Sequence, residues 1–493
     1  MPGEAATGFR WPPFRVNKEN MMMRDDPTPL SFFRQLSAIP RISGHEKAAA
    51  DFVQRVAEAA GCQVYRDRMD NLIVTKAGSP GHEDAPPFML QGHLDMVGAA
   101  APGVPHDFIT DPIALTEENG ILRAKGTTLG GDDGIAVAIM LCVLTDPART
   151  HPPLECVFTV QEETGLSGAM ALDTSRLKAR RMLNLDAGPE GIFVTSCAGG
   201  CRAALTRPLT WEKTETPMWQ LEVSGLEGGH SGGNIGREGA NALVLCGIVL
   251  DAVLEHRGRI GTMTGGDKDN AIPVSAEAFF ALDTDPRPVL EPLAQKIREA
   301  WHSTDPHLQI RITPAAGGSV LKTPDAKALV SLLRLLPHGV YSHSRLFPQL
   351  PEASANLASV RLDRSLQISL SLRSSSDFRK EQLMENIRLL AQCFGAECSF
   401  TGVYPGWSPA ARSPLCAQAV KAFETVYGHP PQLQGIHAGL ECGVFKQAIP
   451  ELDMIATGPC YGDMHTPSEW MDIASMTRLY DFVKELLRMC ADQ

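Results

Sequence analysis

The chain has 493 residues, too many for one ordinary core, so two or more domains are expected. Its 43% hydrophobic and 21% charged residues are those of an ordinary globular protein. A formal net charge of −12 argues against nucleic acid or an anionic membrane surface as the main partner, and no apolar run is long enough to span a bilayer.

Residues 1–27 carry prolines and charges but no apolar segment of signal-peptide length, so they read as a flexible extension, or, given Met21, Met22 and Met23, a misassigned start. The cytoplasm is the default location. Twelve cysteines without a C-x-x-C pair fit buried thiols of a reducing compartment better than a disulfide framework. Ordered chain is expected from about Thr28. Ser43-x-x-Glu46 reads as a capping box ahead of a helix that buries Phe52, Val53, Val56 and Ala60, with Gly61 as its stop.

Strand-like and helix-like stretches then alternate through Asn71–Thr75, Phe88–Gly92, Gly134–Leu144, Leu154–Val160 and Met182–Leu185. Such alternation implies an α/β fold with a mostly parallel mixed sheet flanked by crossover helices. After about Ser196 the pattern changes: strands such as Trp219–Val223 and Glu277–Leu282 are joined by Gly/Pro-rich turns, with helices such as Ala240–Glu255 between them. Near Tyr404–Trp407 the earlier style returns, with a helix at Leu415–Tyr427, a strand at Leu452–Ala456 and a final amphipathic helix carrying Leu479, Phe482, Val483, Leu486 and Leu487. The simplest organisation is a discontinuous domain (28–199 and 404–493) interrupted by an inserted α+β lid domain (200–403).

Four of the apolar runs stop on metal-seeking groups: His93-x-Asp95, Glu162–Glu163, Asp186, and the stretch from Asp453 through Gly458–Pro459 to His465. Ligand sites in open α/β sheets form beyond the carboxyl ends of the strands. Residues i and i+2 of an extended segment point the same way, so Asp95 can hold the ring of His93. Taken alone, that pair is more simply a polar strand end. In Glu162–Glu163 one carboxylate can ligate while its neighbour takes a proton; alone, such a pair is usually a solvated surface feature. Asp132, in Gly126–Thr127–Thr128–Leu129–Gly130–Gly131–Asp132–Asp133–Gly134, has two oxygens with which to bridge two cations, although a plain turn is an equal local reading. Together, two histidines and several carboxylates at strand ends suit a pair of divalent metals.

These elements, with Gly228–Gly229–His230–Ser231–Gly232–Gly233, Asn270–Ala271–Ile272–Pro273, His437–Ala438–Gly439–Leu440–Glu441–Cys442–Gly443 and His465–Thr466–Pro467, resemble the aminoacyl-histidine dipeptidase family of co-catalytic zinc metallopeptidases. The resemblance runs from about Phe32 to near the C-terminus. It implies a zinc-peptidase-like catalytic domain and two divalent ions, zinc first, with manganese or cobalt as alternatives. Carried over by motif, His93, Asp132 and Asp186 would bind one ion and Asp132, Glu163 and His465 the other, with Asp132 as the bridge. Glu162 would be the general base, Asp95 the orienter of His93, and His230 the group that polarises the scissile carbonyl. Arg373 would receive the substrate carboxylate, with Asn270 and Gly439 as further substrate contacts. Small peptides are the implied partners, and a homodimer through the lid domain is a possibility the family raises. The chain departs from the family at Asp133, an extra carboxylate that either tunes metal preference or faces solvent, at Glu352–Leu357 and at Trp470.

Three rivals stand beside this reading. An N-acyl-amino-acid amidohydrolase could use the same metal site. A non-catalytic binding protein could keep the fold. Gly229-His230-Ser231-Gly232-Gly233 also satisfies the G-x-S-x-G pattern of serine hydrolases, but that elbow must join a strand directly to a helix, and here neither is adjacent.

Overall fold

The computed structural model describes residues 28–492, so the extension expected at 1–27 lies outside the described residues. The described chain opens on a helix, Pro29–Ser37. Thr28 Oγ1 accepts the Ser31 N–H at 3.2 Å and Ser31 Oγ accepts the Thr28 N–H at 3.1 Å, a reciprocal cap that satisfies two orphan donors. The helix expected after Ser43 spans Lys47–Ala59, buries Ala49, Ala50, Phe52, Val53 and Ala57, and is followed by Gly61 at φ +80°. Val56 and Ala60 pack against the core only partly buried.

The capping box at Ser43 does not form. The Ser43 hydroxyl donates instead to Asp95 Oδ2 at 2.8 Å, and Glu46 Oε1 accepts the N–H groups of Gly44 and Gln161 at 2.8 and 3.0 Å. The helix starts only at Lys47, with Glu46 in the N-cap position, so Ser43 stands upstream of the first turn and both side chains serve other partners.

Eight strands form the first sheet, in the spatial order Gln63–Arg66, Leu72–Lys76, Leu154–Thr159, Phe88–His93, Arg181–Asn184, Asp453–Ala456, Ile192–Cys197, Gln432–Ile436. Four of the seven neighbouring pairs are parallel and three antiparallel, so the sheet is mixed. Phe88–His93 and Leu154–Thr159 are buried at every position, which is why they read as largely apolar without a strict alternation. Gly134–Leu144 belongs to a helix, Gly131–Thr145, buried through nearly its whole length. A sequence apolar on all sides shows no period; its length, not its pattern, marks it as a helix. The final helix, Ile473–Ala491, buries Leu479, Phe482, Val483, Leu486 and Leu487 on one stripe. The parallel strands Leu154–Thr159, Phe88–His93, Arg181–Asn184 and Asp453–Ala456 all end on one edge, and the loops leaving that edge carry the polar groups described below.

The second sheet draws its nine strands from between Gly199 and Tyr404, and every pairing in it is antiparallel. Its strands Met218–Ser224 and Ala276–Ala281 and its helix Ala242–Glu255 lie within two residues of the stretches read from the sequence. Together with the helices Thr323–Leu335 and Asp377–Cys393 they enclose a hydrophobic core of their own around Leu221, Leu245, Val249, Phe280, Leu329 and Leu370. Ile192–Cys197 of the first sheet runs straight into Gly199–Pro208 of the second. All twelve cysteines are free thiols, most of them buried. Among the described residues no helix is long and apolar enough to cross a membrane.

Candidate metal centre

His93 ends its strand fully buried, with Asp95 two residues on and equally buried. Asp95 Oδ1 lies 3.4 Å from His93 Nδ1, an electrostatic contact rather than a formed hydrogen bond. The same carboxylate accepts the N–H groups of Glu162 and Glu163 at 3.0 and 3.1 Å and the Ser43 hydroxyl. One buried acid thus sets both the imidazole and the turn that carries the two glutamates. Burial works against its charge, but His93 and these donors hold the Asp95 carboxyl below its ordinary range.

Asp132 receives the two histidines on its two oxygens. His93 Nε2 is 3.1 Å from Oδ1, and His465 Nε2, arriving on a loop more than three hundred residues later, is 3.2 Å from Oδ2. Asp186 Oδ1 is 3.9 Å from His93 Nε2, and Glu163 Oε1 is 3.0 Å from His465 Nε2. The structure brings His93, Asp132 and Asp186 together as one cluster and Asp132, Glu163 and His465 as a second, sharing Asp132, while His93, Glu162 and Glu163 form a third; each offers ligand atoms within 4.8 Å of one another. The Glu162 carboxylate makes no hydrogen bond among the described residues, and it lines a cleft of about 380 Å³ together with Asp132, Glu163, Asp186 and His465.

These residues fit a pair of cations. Carboxylates outnumber bases, and the buried Glu163 Oε1 has only the ionic contact with His465 and no formed hydrogen bond. Burial and the neighbouring acids Asp132 and Asp133 push the Asp186 carboxyl well up; burial, relieved in part by His93, does the same to Glu162. Burial opposes a charge on His93, yet Asp132 and Asp95 raise it well above the usual imidazole range, and bonds to Asp132 and Glu163 push His465 up to about 10. A floor that draws protons onto its histidines in this way stabilises positive charge, and nitrogen with carboxylate oxygen is a donor set for zinc, manganese or cobalt.

Asp133 neither joins these clusters nor faces solvent. It is 3% exposed, and its Oδ2 accepts the His93 backbone N–H at 3.1 Å. A side chain at Gly92 would meet that oxygen at 2.5 Å, which explains the glycine beside the histidine.

Of the residues expected to contact substrate, His230, Asn270 and Arg373 lie outside the lining of this cleft and Gly439 lies within it. His230 is exposed, and its Nδ1 accepts the N–H groups of Gly232 and Gly233 at 3.2 and 3.3 Å, which puts the ring proton on Nε2. Desolvation, then the charge of Arg373, lower its pKa, so it is a neutral donor. Arg373 donates to the Tyr404 hydroxyl at 3.4 Å and keeps a buried Nε with no partner. Asn270 is exposed, its carbonyl accepting the Ser231 N–H at 2.7 Å. Tyr404 leaves no room for a side chain at Gly439, where a Cβ would come within 2.9 Å of its ring. Ser231 follows a two-residue strand, and the next α-helix starts only at Ala242, so there is no nucleophile elbow.

A model of the peptidase family M20/M25/M40 matches residues 89–489, most of the chain. The chain belongs to that family. It is accordingly a hydrolase of peptide bonds. It is 34% identical over 475 residues to the cytosol non-specific dipeptidase of Escherichia coli K12, covering 94% of this chain and 97% of that one. The crystal structure of aminoacylhistidine dipeptidase from Vibrio alginolyticus superposes with a TM-score of 0.87 at 33% identity, over 93% of this chain and 96% of the other. Aminopeptidase PepT from Bacillus cereus, at 16% identity and a TM-score of 0.56 over 95% of this chain and 99% of its own, shares the fold.

Sequence reading missed several residues that support the centre of this M20 peptidase. Glu441 is fully buried beneath it and accepts from Thr159 Oγ1 at 2.7 Å and from Gln91 Nε2, while Gln91 Oε1 accepts from Asn184 at 2.6 Å. Burial pushes Glu441 up to about 7. Arg41 and Glu469, which bond to the backbone just before Asp132, and Tyr461, which lines the cleft, were missed as well. A glutamate opening a helix or preceding a short strand, or an arginine after a proline, carries no local mark of burial, so no pattern could have found them.

Proposed function

We propose that this protein is a two-metal dipeptidase acting in the cytoplasm on unblocked dipeptides, those with C-terminal histidine included. The observation that carries the reading is the sharing of the Asp132 carboxylate, one oxygen toward His93 and the other toward His465, beside a Glu162 carboxylate left free of hydrogen bonds. The names of the Escherichia coli and Vibrio relatives support the substrate class and the location.

In this reading His93, Asp132 and Asp186 hold one ion, and Asp132, Glu163 and His465 the other. Zinc is the first choice, with manganese or cobalt as alternatives. The chemistry such a pair supplies is polarisation of the scissile carbonyl and acidification of water. Glu162 then takes the proton of the attacking water and delivers it to the leaving amine, a task for which a carboxyl raised by burial is well tuned. Asp95 holds His93 and the Glu162–Glu163 turn in register. His230, through its Nε2–H, stabilises the developing oxyanion. Arg373 offers its guanidinium fork to the substrate carboxylate, with Asn270 and Gly439 in contact beside it. Residues 28–199 and 404–493 form the catalytic domain and 200–403 the lid, and closure of the lid, within a homodimer formed through it, brings His230 and Arg373 to the cleft.

The test is hydrolysis of Ala-His, β-Ala-His and Gly-Leu against N-acetyl amino acids and a tripeptide, with and without chelator. Chelator-sensitive cleavage of the free dipeptides alone is the expected result. Cleavage of the acylated compounds instead would make the protein an amidohydrolase, and metal binding without any turnover would make it a binding protein.

A further inference from the structure

Two buried ions of opposite charge grip the loop that carries Asp132, and neither belongs to a ligand cluster. Arg41 is 1% exposed. Its Nη1 donates to the carbonyls of Leu94 and Asp95 at 2.8 and 2.9 Å, and its Nη2 donates to the carbonyl of Gly130. Glu469, 3% exposed, takes the other side: Oε2 accepts the N–H groups of Leu129 and Gly130 at 2.7 and 3.1 Å, and Oε1 that of Gly131 at 2.8 Å. Three segments meet in this way: 94–95 just after His93, 129–131 just before Asp132, and 465–469, which begins with His465.

The glycines of the loop are fitted to the clamp. A Cβ on Gly130 or on Gly134 would stand 2.6 Å from Arg41 Nη2, and one on Gly131 would stand 3.2 Å from Glu469 Oε1. Gly130 also holds φ +68°, a left-handed conformation that side chains resist. The guanidinium fork suits several carbonyls at once, and the carboxylate suits a row of backbone N–H groups; charge makes both sets stronger than neutral bonds.

We infer that Arg41 and Glu469 are positioning residues: they fix the Asp132 carboxylate relative to His93 and His465 and so set the affinity for the metal pair. This rests on the two-metal reading above. Residues that orient ligands from behind typically change metal affinity by about 10- to 100-fold when replaced. Glu469→Gln keeps the volume but sets an amide N–H₂ against a backbone donor. Arg41→Lys keeps the buried charge but loses the fork.

The experiment is competition for Zn²⁺ against a chromogenic chelator on the full chain, with the Tm of the metal-free protein read alongside. Asp325→Asn is the control: that carboxylate accepts the Thr210 N–H at 2.8 Å and pairs with Arg207 at 2.5 Å within the second sheet's layer, away from the loop. Both clamp variants are expected to weaken metal binding by about 10- to 100-fold, whereas the control lowers Tm and leaves metal affinity unchanged. Clamp variants that lose Tm yet bind Zn²⁺ as tightly as the parent would overturn the inference and leave the two-metal reading intact. A parent protein that binds no metal pair would instead sink that reading. Should Glu469→Gln not fold, Arg41→Lys carries the comparison.

Discussion

Replacing Asp95 by asparagine should disable the centre while leaving its outline intact. The carboxylate accepts three formed hydrogen bonds, from Ser43 Oγ at 2.8 Å, Glu162 N at 3.0 Å and Glu163 N at 3.1 Å, and stands 3.4 Å from His93 Nδ1. Asparagine keeps the oxygen that serves Glu162. Its N–H₂ replaces the oxygen shared by Ser43 and Glu163. The serine can rotate and accept, but the Glu163 N–H has no such freedom. A lost charge-assisted bond is worth about 1.5–3 kcal/mol, and an unsatisfied buried donor adds about 1–3. His93 also loses its negative neighbour. The two together come to about 2.5–6 kcal/mol, which corresponds to a fall of about 10²- to 10⁴-fold in kcat/KM. Dipeptide hydrolysis under saturating metal reads the loss, and chelator competition reads the weaker His93 site. An Asp95→Asn enzyme within threefold of the parent on both would refute the argument that this acid organises the imidazole and the glutamate turn together.

Glu162→Gln should keep two bound ions by elemental analysis and lose about 10²- to 10⁴-fold in kcat, because only the proton carrier is removed; near-normal turnover would remove Glu162 from the mechanism. Asp133→Asn should be nearly neutral, since an amide oxygen can accept the His93 N–H as the carboxylate does at 3.1 Å; a large change in metal selectivity would show that the charge itself matters. Burial, then the charge of Arg373, lower His437 to about 3, and its Nε2 lies 2.6 Å from Ser354 Oγ. The unfolded chain therefore takes up a proton that the folded one refuses. Stability from this group is complete above about pH 6.5 and declines by up to about 1.4 kcal/mol per pH unit as the pH falls toward 3. Denaturant titrations at pH 7, 6 and 5 should show a slope that His437→Gln reduces; an unchanged slope would mean the ring is not held neutral.

The groups of the candidate site were legible because they end apolar runs. His93, Asp186 and the Glu162–Glu163 turn stand at the carboxyl ends of buried strands, where a sequence must change abruptly from apolar to polar, and that change is visible in one dimension. The amphipathic last helix and the two styles of strand were readable for the same reason: burial imposes a period or an unbroken run. What supports those groups was not. Ser43 and Glu46 satisfy the spacing of a capping box, yet their partners are Asp95, Gly44 and Gln161, because the helix begins only at Lys47 and leaves Ser43 upstream of its first turn. Asp133 could have faced water or a metal, and only the approach of the strand at Gly92 turns it to the His93 backbone. Arg41 and Glu469 lie 428 positions apart and meet across one loop. The sequence by itself determined which side chains could do chemistry, since those types are few and their flanks are distinctive. The tertiary structure decided which buried charges hold them, because a charge finds its partner through space and its neighbours in the chain carry no record of the choice.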